Sequence, residues 1–347
     1  MSLDLAKFRY ELPETAIAQE PLADRAGSRM LVLDRVARTW QDRMFRDFPD
    51  FMAAGDCIVL NDSEVFPSRL FGHRTGVHSH PVGKNNPKRH ENLSGRVEVF
   101  LLRPQSDDSL TWDALVRPGR KMRTGERIEF DQGVMAEILS RGEFGERTLR
   151  FHTNEPIFEL LRKIGHVPLP PYIKRQDRTE DRDRYQTVFA RETGSVAAPT
   201  AGLHFTPGIL ERCRAAGADL AYVTLHVGLG TFQPVRGDTL HSEHFEITKE
   251  NMSRIGEAKR VVCVGTTSVR AVESGALGRS GETDLFIKPG FEFQRTGAML
   301  TNFHLPESSL LILVCAFAGV DFVLGAYRHA VESRYRFYSY GDCMLIL

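Results

Sequence analysis

Arg96-Val97-Glu98-Val99-Phe100-Leu101-Leu102, Thr111-Trp112-Asp113-Ala114-Leu115-Val116, Arg127-Ile128-Glu129-Phe130, Val134 to Leu139 and Arg147 to Phe151 form the stretch that decides the fold. These are short apolar-rich runs at close intervals. Pro118-Gly119, Thr124-Gly125, Asp131-Gln132-Gly133 and Arg141-Gly142 separate them with residues that favour turns. Frequent short strands with turn signals between them predict a small antiparallel sheet or barrel.

Outward from that window the texture changes near residues 65 and 153, and helices alternate with strands. Asn154 can cap a helix over Pro156 to Ile164, with Gly165 as its stop. Thr206-Pro207 opens a helix to Ala216, and strand Leu220 to Val227 follows. A polar helix from Thr248 precedes the buried strand Val261 to Val264, and Thr266 can cap the helix after it. Strands Asp284 to Ile287 and Met299 to Phe303, helices after Pro306 and from Asp321 to Ser333, and strand Cys343 to Leu347 complete the set. Such alternation predicts an α/β domain with helices packed around a sheet. Asp56 to Asn61 reads as a strand of that larger domain. Residues 1–64 and 153–347 are therefore expected to form a discontinuous α/β domain, with residues 65–152 an inserted β domain.

Composition narrows the function classes. The 347 residues carry 45 Lys and Arg against 45 Asp and Glu, which excludes a uniformly basic coat but allows a local basic patch. Five scattered cysteines with no Cys-x-x-Cys pair argue against a cysteine zinc site and a disulfide framework. Met1 to Tyr10 lacks a signal-peptide apolar core, and the apolar run Leu310 to Val320 is too short to span a bilayer. A cytoplasmic protein is expected.

The candidate chemistry lies where apolar runs end. Pro199-Thr200-Ala201-Gly202-Leu203-His204-Phe205 puts a flexible Gly202 and a histidine before the helix at Thr206; a capped turn with a structural histidine is the plain alternative. His226-Val227-Gly228-Leu229-Gly230-Thr231 lacks the third glycine of a dinucleotide fingerprint, having Gln233 and then Pro234. His226 stays a candidate acid or base. Gly265-Thr266-Thr267-Ser268-Val269-Arg270 offers hydroxyls beside helix N–H groups, suited to a carboxylate or a ribose. Thr301-Asn302-Phe303-His304 closes another strand. His241, Glu243 and His244 are chemically adequate metal ligands, but no fourth is evident and no metal is expected. Arg69, Arg74, Arg117, Arg120, Lys121 and Arg123 give the inserted domain a candidate basic face for phosphate backbones.

Taken in order, these blocks resemble the S-adenosylmethionine:tRNA ribosyltransferase-isomerase family along nearly the whole chain. Phe8-Arg9-Tyr10-Glu11-Leu12-Pro13, Leu60-Asn61-Asp62-Ser63, Pro168-Leu169-Pro170-Pro171-Tyr172-Ile173, Tyr185-Gln186-Thr187-Val188-Phe189-Ala190 and Tyr335-Arg336-Phe337-Tyr338 share in the match. One departure is visible, a longer connection at Val77 to Asn92. The resemblance implies a larger α/β-barrel-like domain with an inserted β-barrel. It implies a monomer without cofactor that uses S-adenosylmethionine as cosubstrate and tRNA carrying 7-aminomethyl-7-deazaguanine as acceptor. On that reading His204, His226 and His304 share the proton transfers. Thr200, Gly202, Thr231, Thr266, Thr267, Arg270 and Asn302 hold the cosubstrate, with Arg270 or the helix start at Thr266 on its carboxylate. A methyltransferase would lack its Gly-rich fingerprint here, and a plain RNA-binding module would leave the polar strand ends unexplained.

Overall fold

A computed structural model describes residues 3–75, 95–106, 108–142, 145–228 and 240–347. The chain divides into two compact units, Met1–Glu64 with Leu169–Leu347, and Val65–Pro168. Along the chain the strands are β1 (Arg29–Asp34), β2 (Thr39–Met44), β3 (Asp56–Asn61), β4 (Ser63–Val65), β5 (Arg69–Arg74), β6 (Arg96–Pro104), β7 (Thr111–Arg117), β8 (Arg127–Phe130), β9 (Met135–Arg141) and β10 (Glu146–His152). Then come β11 (Glu192–Ser195), β12 (Asp219–Leu225), β13 (Glu243–Glu246), β14 (Arg260–Val264), β15 (Gly281–Thr283), β16 (Thr296–Asn302) and β17 (Cys343–Ile346).

In the smaller unit, β10-β7-β6-β5-β8-β9 close into an antiparallel barrel. Alternation fills it: Val97, Val99 and Leu101 of β6 and Trp112, Ala114 and Val116 of β7 are buried. The unit extends to Pro168, past the expected end at 152, for a packing reason that local pattern does not carry. The helix Ile157–Ile164 sets Phe158 edge-on against Phe66 and Trp112, and His166 pairs with Arg69. That helix starts at Pro156 without a side-chain cap, so Asn154 does not serve as its cap.

The larger unit is a nine-stranded mixed sheet in the order β15-β13-β12-β3-β14-β16-β17-β1-β2. Among the described residues it stays open, running from edge β15 to edge β2 rather than curling into the barrel-like form the resemblance implied. The mixed α/β class and the antiparallel barrel are as expected. Edge strand β2 is polar and exposed along most of its length, which suits a strand with no outer neighbour. Period-two alternation sends Leu31, Leu33, Cys57 and Val59 into one apolar layer and Met30, Val32, Ile58 and Leu60 into the other. The helices Thr266–Ala276, Ser309–Ala318 and Val320–Glu332 cover the first layer, and Pro207–Ala215 lies against the second. Thr206, Thr248 and Ser308 cap their helices through side-chain oxygens. Leu311 to Cys315, Phe317 and Ala318 are core, and no single helix among the described residues is long and apolar enough to cross a membrane. The expected strand at Asp284 to Ile287 is irregular; pairing stops at Thr283, where β15 ends.

Candidate active site

Strand direction places the site. β12, β3, β14 and β16 are mutually parallel neighbours, so their C-terminal ends share one edge of the sheet. β17 runs antiparallel to β16 and so begins at that edge, and β1, parallel to β17, begins there too. Asn61, Val227, Gly265, Asn302, Asp342 and Ser28 therefore converge from distant parts of the chain, at the position where open α/β sheets bind ligands. A cavity opens there, at the end of the sheet. Tyr172, Thr200, Thr266, Thr267, Asn302 and His304 are among its lining, and no described side chain lining it carries a formal charge.

Of the three candidate histidines, His304 lines this cavity. Its Nε2 lies 2.7 Å from Thr301 Oγ1. Its backbone is fixed on both sides: its N–H donates to Tyr327 Oη (3.1 Å), and its carbonyl accepts from Tyr10 Oη (2.5 Å). Burial pushes its imidazole down to about 3, so it is neutral near pH 7. His204 is buried behind the cavity wall, with Nδ1 2.9 Å from Ser28 Oγ and Nε2 3.1 Å from Asn302 Nδ2. Burial, helped by Arg25 and Arg336, also holds it down to about 3. His226 is not among the lining residues; it stacks with His244 at 6.0 Å and packs against Gly194, and its Nδ1 is buried without a partner among the described residues. Burial and then His244 lower its pKa. The three histidines are thus not one constellation.

The ligand-holding candidates also separate. Thr200, Thr266, Thr267 and Asn302 meet at the cavity. Gly265 supplies the left-handed turn (φ +87°) between β14 and its helix, so Gly265 rather than Thr266 sits at the cap position, and Thr266 is the first helical residue. The helix start then presents first-turn N–H groups and a positive dipole end. Gly202 packs inward, since a Cβ there would lie 2.8 Å from both Phe189 and Thr187. Arg270 turns away from the expected carboxylate role. It forms a buried ion pair with Glu243 and donates to the carbonyls of Leu285 (3.2 Å) and Thr283 (3.3 Å). Glu243 also accepts from Gly228 N–H at 3.0 Å, which takes it out of the His241/Glu243/His244 metal reading. No group of three metal-ligating side chains occurs among the described residues. Thr231 and the whole Val77 to Asn92 connection lie outside the described residues.

Three tyrosines, Tyr172, Tyr185 and Tyr338, were missed by motif reading. Tyr172 and Tyr338 line the cavity with ring centroids 4.5 Å apart at 32°, and Tyr172 Oη lies 2.6 Å from Ser339 Oγ. Tyr338 holds a left-handed backbone (φ +68°), and its hydroxyl is buried without a partner among the described residues. Each belongs to a run quoted above for the resemblance. Nothing local tells a cavity tyrosine from a core one.

On the smaller unit the basic candidates also differ. Arg74 pairs in bidentate fashion with buried Glu126 (2.6 and 2.7 Å), and Arg69 pairs with Glu98 at 3.3 Å. Arg117, Arg120, Lys121 and Arg123 are exposed around the turn Gly119–Lys121. Buried Arg147 braces that turn by donating to the carbonyls of Met122 (2.8 Å) and Gly119.

An uncharged, tyrosine-walled cavity with a helix start at the C-terminal edge of parallel strands defines a small-molecule-handling α/β protein. A model of the family described as "Queuosine biosynthesis protein" matches residues 5–346. The S-adenosylmethionine:tRNA ribosyltransferase-isomerase of Solibacter usitatus (strain Ellin6076) is 67% identical, covering 99% of this chain and 100% of that protein. The protein of the same name from Halothermothrix orenii is 44% identical, covering 99% and 100%. A crystal structure of S-adenosylmethionine tRNA ribosyltransferase from Thermotoga maritima at 2.00 Å resolution has a TM-score of 0.54 and 36% identity, covering 98% of this chain and 100% of that one. The chain belongs to the queuosine biosynthesis protein family and is an enzyme of the ribosyltransferase-isomerase class.

Proposed function

We propose that this enzyme transfers the ribosyl group of S-adenosylmethionine to 7-aminomethyl-7-deazaguanine at the tRNA wobble position and isomerises it. The products are epoxyqueuosine-tRNA, adenine and methionine. The observation that carries this reading is the cavity itself. A cosubstrate bearing both a sulfonium and a carboxylate suits a site without formal charge, because the tyrosine faces favour the cation and the helix start at Thr266 favours the anion. The helix start takes the carboxylate role, since Arg270 is engaged by Glu243. The names of the relatives supply the substrate class. The reading places a monomer in the cytoplasm, with no metal and no cofactor beyond the cosubstrate.

The chemistry needs a proton acceptor. C5′ hydrogens beside a sulfonium are acidified, so a base can remove one to give an ylide. The aminomethyl group must be neutral to attack, and adenine must leave with a proton. His304 lies on the cavity wall and is neutral, so it carries no excess proton at the start of the reaction and is the candidate acceptor by position.

The test is product analysis with S-adenosylmethionine and tRNA carrying the precursor base. Adenine and methionine, with a mass gain on the wobble nucleoside, are expected. S-adenosylhomocysteine would mean methyl transfer, and unchanged S-adenosylmethionine under proven tRNA binding would mean a binding module. A second expectation concerns the exposed basic turn. Converting Arg120, Lys121 and Arg123 together to serine should weaken tRNA binding and flatten its log–log salt slope by roughly two to three, as three lost phosphate contacts would. S-adenosylmethionine affinity should stay unchanged. An unaltered salt slope would remove this turn from the tRNA surface.

A further inference from the structure

Two buried asparagines end strands β16 and β3; Asn302 lines the cavity and Asn61 bonds to Thr267, which does, and each is held in one orientation by backbone groups that have no choice of role. Asn302 Nδ2 donates to the carbonyl of Asp342 at 3.2 Å. A carbonyl only accepts, so the amide nitrogen must face it. Asn302 Oδ1 then faces Thr200, whose Oγ1 donates to it at 3.0 Å. The second Nδ2 hydrogen points at His204 Nε2, which must be unprotonated to receive it, leaving the ring proton on Nδ1 toward Ser28. Asn61 is fixed in the same manner. Its Oδ1 accepts from the N–H groups of Ser63 and Leu225, both at 3.1 Å, and its Nδ2 donates to the Leu225 carbonyl at 3.0 Å. The remaining Nδ2 hydrogen goes to Thr267 Oγ1 at 3.2 Å.

The consequence is opposite polarity at two hydroxyls on one cavity. Thr200 has given its proton to Asn302 and turns lone pairs toward the ligand. Thr267 has received one from Asn61 and keeps its own proton to donate.

Resting on the functional reading above, we propose that the asparagine pair sets a donor–acceptor code in this cavity. Thr200 is the acceptor, Thr267 the donor, and His204 a positioning residue that locks the Asn302 amide. The ligand group read by the code must offer an N–H or O–H to Thr200 and a lone pair to Thr267. In an adenosyl ligand this is either the amine edge of the adenine or the ribose diol.

The experiment has two readouts. Nitrogen NMR of the histidine rings in the ligand-free, full-length protein should show His204 as the Nδ1–H tautomer. Asn302→Asp puts a carboxylate oxygen against both Nε2 and the Asp342 carbonyl, and should convert His204 to the doubly protonated ring or to the Nε2–H tautomer. A wild-type ring already protonated on Nε2 overturns the polarity assignment, whatever the ligand. Binding of S-adenosylhomocysteine is then compared with its inosine, 2′-deoxy and 3′-deoxy analogues. The analogue that lacks the group facing Thr200 should bind roughly tenfold more weakly to wild type, the usual worth of one hydrogen bond. It should show no such penalty in Thr200→Val, and Thr200→Ser should restore the penalty. Loss with the inosine analogue assigns the code to adenine; loss with a deoxy analogue assigns it to ribose. Equal binding of all analogues, or an undiminished penalty in Thr200→Val, overturns the code. If no adenosyl compound binds wild type while the tautomer is as expected, the functional reading fails and the polarity stands.

Discussion

Replacing His304 by alanine is expected to lower kcat for ribosyl transfer by roughly two to four orders of magnitude, the range for loss of a positioned proton-transfer group. S-adenosylmethionine affinity should change by no more than a few-fold. The expectation rests on position, because His304 is the candidate histidine that lines the cavity, and its backbone is clamped by Tyr10 and Tyr327. Single-turnover rates would check it, with His304→Gln as a variant of similar volume; turnover within threefold of the parent in both would remove His304 from the chemistry. The same substitution has a stability signature. Between about pH 6.5 and 3 the unfolded chain takes up a proton at His204 and at His304 that the folded protein refuses. The stabilisation is complete above that window and is lost as pH falls through it, at about 1.4 kcal/mol per pH unit for each histidine. Acid titration of His304→Ala should show a shallower loss, by about one proton.

Arg270→Met is expected to destabilise the protein by about 3–5 kcal/mol, and Glu243→Gln by a similar amount. Each single change leaves or exposes a buried group that has lost its partner, since both side chains are nearly inaccessible. Arg270→Met combined with Glu243→Leu should recover most of that loss, because a buried pair removed together leaves no orphan charge. A residual deficit should remain, because Gly228 N–H also loses its acceptor. Denaturant titration of these variants, with Glu243→Leu alone to close the cycle, measures the coupling. Cosubstrate affinity separates this structural role from the one expected of Arg270 in sequence. If the double variant is stable yet has lost S-adenosylmethionine binding more than a hundredfold, Arg270 holds the ligand after all.

Much of the fold was legible because its signals are local. Pro118-Gly119, Thr124-Gly125 and Asp131-Gln132-Gly133 mark barrel corners, and alternation marks the strands between them. The smaller unit's extension to Pro168 was not legible, since it depends on Phe158 meeting Phe66 and Trp112 across the tertiary fold. Motifs found the strand ends that form the site, but not where each side chain points. His204 and His304 look alike in sequence, each close behind a threonine and near an apolar run. Asn302 stands between His204 and the cavity, whereas nothing stands between the cavity and His304. Arg270 resembles a ligand clamp until Glu243, on a different strand, is placed against it.

The placement of β17 has a consequence for how the larger sheet is made. Met30 pairs with Cys343 and Leu33 with Ile346, while β17 also joins β16. The hairpin β1–β2, synthesised early, has no route into the sheet except through a strand made some three hundred residues later. Closure of so long a loop must precede any reward from that pairing. The barrel, by contrast, is one continuous stretch whose partners lie near in sequence. The barrel is therefore expected to form early from its local pairings, and β1 and β17, far apart in sequence, to pair later.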